Sequence, residues 1–70
     1  MTYRDAIRKL RKLGCVELPR TGPGSHRKWY NPATKTVTSL PDWGGRDLKK
    51  GTLRNAVKQL GLDWHEFSQA

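Results

Sequence analysis

The sequence predicts an α+β fold of order α-β-β-β-α, a three-stranded antiparallel sheet carrying both helices on one face. Three observations predict it. An apolar stripe of helical period opens the chain, the period drops to two over three short stretches, and a second helical stripe follows. Each helix has only one apolar stripe and covers only one face of the sheet. The other face is left to solvent or to a partner.

The first element is a helix because Tyr3, Ala6, Ile7, Leu10 and Leu13 recur at helical spacing. Arg4, Arg8 and Arg11 lie on another face, flanked by Lys9 and Lys12. Thr2 and Asp5 stand at capping-box spacing, with Asp in place of the more usual Glu. Gly14 follows the last turn, where helices often need a left-handed residue.

Val16 and Leu18 then alternate with Cys15 and Glu17 as a short strand before Pro19. Thr21-Gly22-Pro23-Gly24-Ser25 is a loop by composition. His26 to Tyr30 reads as the second strand, Asn31 to Lys35 as a hairpin connection, and Thr36 to Leu40 as a β-branched third strand ended by Pro41. Asp42 to Lys50 is a loop around Gly44-Gly45. The second helix covers about Thr52 to Leu60, with Leu53, Ala56, Val57 and Leu60 on one face and Gly61 placed to stop it. Asp63 and Glu66 have capping spacing, which predicts a last helical turn docking Trp64 and Phe67. Trp29 and Trp64 are expected in the core, and Trp43 in solvent.

Seventy residues suit one domain spanning 1–70. Such a chain buries only about 60% of its unfolded surface, too little to enclose a substrate chamber. With 34% hydrophobic and 29% charged residues, it holds enough apolar material for a compact core. Fourteen Lys and Arg oppose six Asp and Glu, a formal charge of +8. That surface attracts polyanions, and phosphate backbones are the commonest of these in a cell. The lone Cys15 excludes an internal disulfide. One Cys and two His give no zinc spacing, and the carboxylates are too few and scattered for a metal cluster, so a metal-dependent nuclease is disfavoured and no cofactor is expected. The charged amphipathic start is unlike a signal peptide, and no apolar run reaches the ~18 residues of a membrane span. The expected compartment is the cytoplasm.

Three constellations carry chemistry. In Gly24-Ser25-His26 a glycine allows close backbone approach, a hydroxyl lies near, and an imidazole titrates close to cellular pH. This suits acid or base work on a ribose 2′-hydroxyl or a leaving 5′-oxygen. Read from composition alone, the favoured reading of His26 is an ordinary surface residue rather than a catalytic one. Arg20, Arg27 and Lys28 bracket it. Strand alternation puts His26, Lys28 and Tyr30 on one face and Arg27 and Trp29 on the other. Lys28 is therefore the cation that shares a surface with His26, either offsetting transition-state charge or only positioning a phosphate. Lys49-Lys50-Gly51-Thr52 leads into a helix start, whose free N–H groups favour anions; Gly51 or Thr52 is its expected cap. The spacing is not that of a Walker loop.

The residues that open with Lys12-Leu13-Gly14 and continue through Gly24-Ser25-His26 and Asn31-Pro32 resemble HicA-type toxins. The resemblance runs on through Gly44-Gly45-Arg46-Asp47-Leu48-Lys49-Lys50-Gly51-Thr52-Leu53-Arg54 to Lys58-Gln59-Leu60-Gly61-Leu62. It implies a fold like that of a double-stranded-RNA-binding domain. It also implies a metal-independent mRNA endoribonuclease with one catalytic histidine, matched here by His26, and a HicB-type antitoxin partner that covers the active site. Gly24, Ser25, Arg27, Lys28, Lys49 and Lys50 are the expected RNA and phosphate contacts around it. Many relatives carry a histidine just before the double glycine, where this chain has Trp43. The main alternative is a small RNA-binding module without catalysis. A DNA-binding reading, with Arg54 and Lys58 of the second helix in a groove, is weaker because that helix must also bury Leu53, Val57 and Leu60.

Overall fold

The computed structural model describes residues 1–20, 22 and 24–70; of the loop expected at 21–25, Thr21 and Pro23 lie outside them. The order is α1 (Tyr3–Lys12), β1 (Val16–Glu17), β2 (His26–Asn31), β3 (Thr36–Pro41), α2 (Lys50–Gln59) and α3 (Trp64–Gln69). The sheet is antiparallel in the order β1-β2-β3. This is the expected α-β-β-β-α layout, consistent with a double-stranded-RNA-binding-domain-like fold.

α1 forms where its stripe lies: Tyr3, Ala6 and Leu10 are buried. The capping box at its start is complete, with the Thr2 hydroxyl accepting from the Asp5 N–H and the Asp5 carboxylate accepting from the Thr2 N–H. Both long helices end alike. Beyond α1 the Cys15 N–H reaches the Leu10 carbonyl and the Gly14 N–H that of Arg11; beyond α2 the Leu62 and Gly61 N–H groups reach Val57 and Lys58. These are Schellman closures. Gly61 stands at φ +70°, and a Cβ there would come within 2.7 Å of the Thr34 side chain. Both the angle and the space require glycine.

The core lies between the sheet and the helices. Trp29 and Leu40 of the sheet are fully buried beside Leu10, Val57, Leu60 and Phe67. The Trp29 indole N–H donates to the Tyr3 hydroxyl at 3.1 Å, and burial pushes the Tyr3 phenol up, so it stays neutral. Burial likewise raises the Cys15 thiol, leaving it protonated and inert. Asn31 is buried and donates from its side chain to the Leu60 carbonyl at 2.7 Å, tying the hairpin to the end of α2. Trp64 is only half-buried; it packs on Phe67, with the Arg54 guanidinium over its ring at 5.0 Å.

Several boundaries differ from the sequence expectation: β1 covers only Val16–Glu17, and α2 ends at Gln59 with Leu60 as its cap. Asn31 belongs to β2, paired with Thr36. Pro41 does not end β3 from outside but is its last residue, opposite His26. Ladder bonds fall on alternate residues, and the next one runs from the Asp42 N–H to the Ser25 carbonyl. The Pro41 nitrogen therefore faces the free edge of β3, where no donor is needed. Finally, α2 begins at Lys50 rather than Thr52. Lys49 is its N-cap and gives no side-chain cap, so neither Gly51 nor Thr52 caps it. The Lys49 carbonyl already accepts from Leu53.

Candidate active site

Strand alternation places the site. On β2, Trp29 and Asn31 turn into the core, while His26 and Lys28 are exposed on the open sheet face. On β3, Thr38 and Leu40 turn inward, while Val37 and Ser39 are exposed. Ser39 stands opposite Lys28, diagonally across from His26. Its hydroxyl oxygen lies 3.4 Å from His26 Nδ1, a long contact in which either group can donate. His26 and Lys28 are about 7 Å apart along the strand. An imidazole, a hydroxyl and an ammonium group thus share one solvent-facing patch.

Gly24 and Ser25, just before His26, are held from two sides. The Arg20 guanidinium donates to the Gly24 carbonyl, and the Asp42 N–H donates to the Ser25 carbonyl at 2.6 Å. Gly24 sits at φ +122°, a backbone region that a side chain rarely adopts. The first contact brings a second cation, Arg20, to the margin of the His26 patch.

Arg27 is not on that patch. It points to the helix side of β2, where its guanidinium meets Glu17 at 3.0 Å and Asp42 at 3.5 Å. The Glu17 hydrogen bond raises its pKa further, so it stays charged, with its charge already matched. Arg27 joins β1, β2 and the loop after β3 at the base of the site.

Lys49 and Lys50 share an end of the molecule with His26 but not a face. The end of α2 is pinned at the hairpin by Asn31 and Thr34, which both donate to the Leu60 carbonyl. Ten helical residues span about 15 Å, so the start of α2 lies toward the opposite end, where β2 begins. The start of α1 is there too: the Leu48 N–H reaches the Met1 carbonyl at 2.8 Å, and Thr2 bridges to Asp47. Both lysines are exposed, with no acidic residue in the first turn of α2 to neutralise them. They lie around the rim from His26.

Sequence reasoning missed Ser39. Its one signal is register: a residue diagonal to His26 is identified only once the hairpin pairing is known. Among the described residues, no three His, Cys, Asp or Glu side chains gather in one place. Nor is any helix among the described residues long and apolar enough to cross a membrane.

The family model described as the HicA toxin of bacterial toxin–antitoxin matches residues 3–62. A relative from Pseudomonas fluorescens (strain Pf0-1), described as a probable mRNA interferase HicA, is 40% identical over 62 residues, covering 89% of this chain and 97% of the relative. No solved structure matches the chain. With a basic α-β-β-β-α framework that presents Gly24-Ser25-His26 at the start of its second strand, and a family match from α1 to the end of α2, this chain belongs to the HicA toxin family.

Proposed function

We propose that this protein is the toxin of a toxin–antitoxin pair, acting as one domain in the cytoplasm as an endoribonuclease that cuts mRNA. His26 is its single catalytic histidine, and the chemistry uses no metal ion. The observation that carries this reading is the exposed His26 imidazole, 3.4 Å from the Ser39 hydroxyl and on the same open face as Lys28. The name of the Pseudomonas relative supplies the substrate class.

RNA carries its own nucleophile. The ribose 2′-oxygen bonds to the adjacent phosphorus, the bond from phosphorus to the 5′-oxygen breaks, and a 2′,3′-cyclic phosphate and a 5′-hydroxyl result. A proton leaves the 2′-hydroxyl and one reaches the 5′-oxygen. His26 transfers one of these protons, as base or as acid, and solvent transfers the other. Lys28 offsets the charge growing on the phosphoryl oxygens. Gly24 and Ser25 allow the backbone of the strand to approach, and Lys49 and Lys50 hold phosphates at the rim. Arg27 positions the start of β2 from the other face. Trp43, where many relatives carry a histidine, supplies no second proton-transfer group. A HicB-type antitoxin that covers the open sheet face blocks this arrangement.

The test is RNA cleavage by wild type and His26→Ala in excess EDTA. Full wild-type activity in EDTA is expected, with a fall of about 10²–10⁴-fold in the variant. Equal cleavage by both proteins removes the role of His26, and loss of wild-type activity in EDTA removes the metal-free chemistry. Salt-sensitive RNA binding by both proteins with no cleavage by either leaves the non-catalytic RNA-binding module.

A further inference from the structure

The loop from Asp42 to Lys49 has two anchored ends. It leaves β3 beside the site, where Asp42 bonds Ser25, and it closes on the start of α1 through Leu48 and Asp47. Inside this span the Gly44 N–H donates to the Asp42 carboxylate at 3.1 Å, which fixes the turn. Between the loop and α1 lies a cleft of about 450 Å³ lined by Thr2, Arg4, Gly44 and Gly45. Its volume falls in the range of about 300–1,000 Å³ typical of small-molecule sites. A Cβ added at Gly44 or Gly45 would meet nothing within 4 Å, so the two glycines leave backbone open to a flat ligand.

The cleft has a charge as well as a shape. Arg4 is exposed, and no ion pair engages it among the described residues. The nearby carboxylates are occupied: Asp5 by the Thr2 N–H, with Arg8 at 3.8 Å, and Asp47 by the chain's amino group at 3.1 Å. Trp43, next in the chain to Gly44, is 37% exposed. A free guanidinium and open peptide backbone match two parts of a nucleotide, the phosphate and the base edge.

We propose that this cleft is a nucleotide subsite for the RNA strand flanking the cut. Arg4 takes a phosphate, and Gly44-Gly45 receive the adjoining base. The inference rests on the RNA-cleaving reading above and extends it to a position that sets which phosphate reaches His26. The fixed link from Asp42 to Ser25 holds the subsite in register with the catalytic histidine.

The experiment uses a short defined RNA and the full chain. Arg4→Ala is expected to raise KM about tenfold, with most of the change in KM rather than kcat, and Arg4→Lys to recover most of it. Gly45→Val fills the cleft and is expected to raise KM and redistribute the cut sites. Thermal melting checks that each variant is folded; if Gly45→Val is not, the Arg4→Ala and Arg4→Lys pair decides. Wild-type KM and unchanged cut sites in folded variants overturn the subsite while leaving the nuclease reading intact. If the wild type cuts no RNA, the nuclease reading fails on its own. The subsite is then judged by RNA affinity, which must fall in Arg4→Ala; equal affinity overturns it.

Discussion

His26 depends on what its two ring nitrogens face. Ser39 stands at Nδ1, and among the described residues no hydrogen bond engages Nε2. A hydroxyl at that position steadies the ring and biases its tautomer, as partners of catalytic histidines commonly do. The 3.4 Å separation makes this a weak hydrogen bond, worth about 1 kcal/mol at most, or about fivefold in rate. Ser39→Ala is therefore expected to lower kcat by about fivefold or less, with KM little changed. Steady-state kinetics checks this, and an unchanged kcat would show that Ser39 is a bystander. The neighbouring cations divide by strand parity. Lys28 shares the His26 face, whereas Arg27 is turned to the helix side and matched by Glu17 and Asp42.

At the scale of elements, the helix ends hold the site in place. The α1 capping box satisfies two N–H groups at the end of the helix that meets the Asp42–Lys49 loop. Thr2→Ala is expected to cost about 1 kcal/mol, seen as a drop of about 4–8 °C in Tm at neutral pH. The box also depends on pH. The Thr2 backbone N–H that Asp5 accepts from, then the Thr2 side chain, hold its carboxyl below the ordinary range. A depressed folded pKa means that the stabilisation is complete above the unfolded value of about 3.9 and is lost as pH falls through the lower folded value. Asp5→Asn should therefore reduce stability at neutral pH and make little difference near about pH 2, which melts at the two pH values would show. The hairpin is placed in a different way. Asn31 and Thr34 converge on the Leu60 carbonyl, so the end of α2 fixes the far end of the sheet and, by its length, where Lys49 and Lys50 emerge.

Across the whole molecule, the helices cover one face of the sheet, and the cations are spread over helices, strands and loops. A formal charge of +8 on 70 residues gives a field that gathers polyanions before any specific contact forms. RNA binding by the His26→Ala protein, which is expected not to cleave, should weaken linearly on a log–log plot against salt, with a slope of about −0.7 per phosphate contacted. Lys28→Gln in that background should make the slope shallower by about 0.7. A flat salt dependence would remove the polyanion reading altogether. The uncovered sheet face shows Val16, Tyr30 and Val37 in one cross-strand row beyond the polar patch, with Val16 and Val37 both about half exposed.

Much of this was determined by sequence alone. Hydrophobic period fixed the identity and order of the elements, because burial of one stripe per helix and one side per strand is a local property of the chain. Gly14 and Gly61 marked the helix ends, Thr2 with Asp5 marked a helix start, and strand parity put Lys28 rather than Arg27 beside His26. The tertiary structure decided what depends on pairing and packing. Register brought Ser39 to the imidazole and let Pro41 into an edge strand, and neither follows from composition. α2 started two residues early because the Lys49 carbonyl accepts the first helical bond without any side-chain cap. Arg27 was drawn into an ion-pair network because Glu17 and Asp42, distant in sequence, arrive on its face of the sheet. The cleft at Arg4 exists only because a loop after β3 closes on the first turn of α1. Contacts between residues far apart in the chain depend on the whole fold, and a one-dimensional pattern does not encode them position by position.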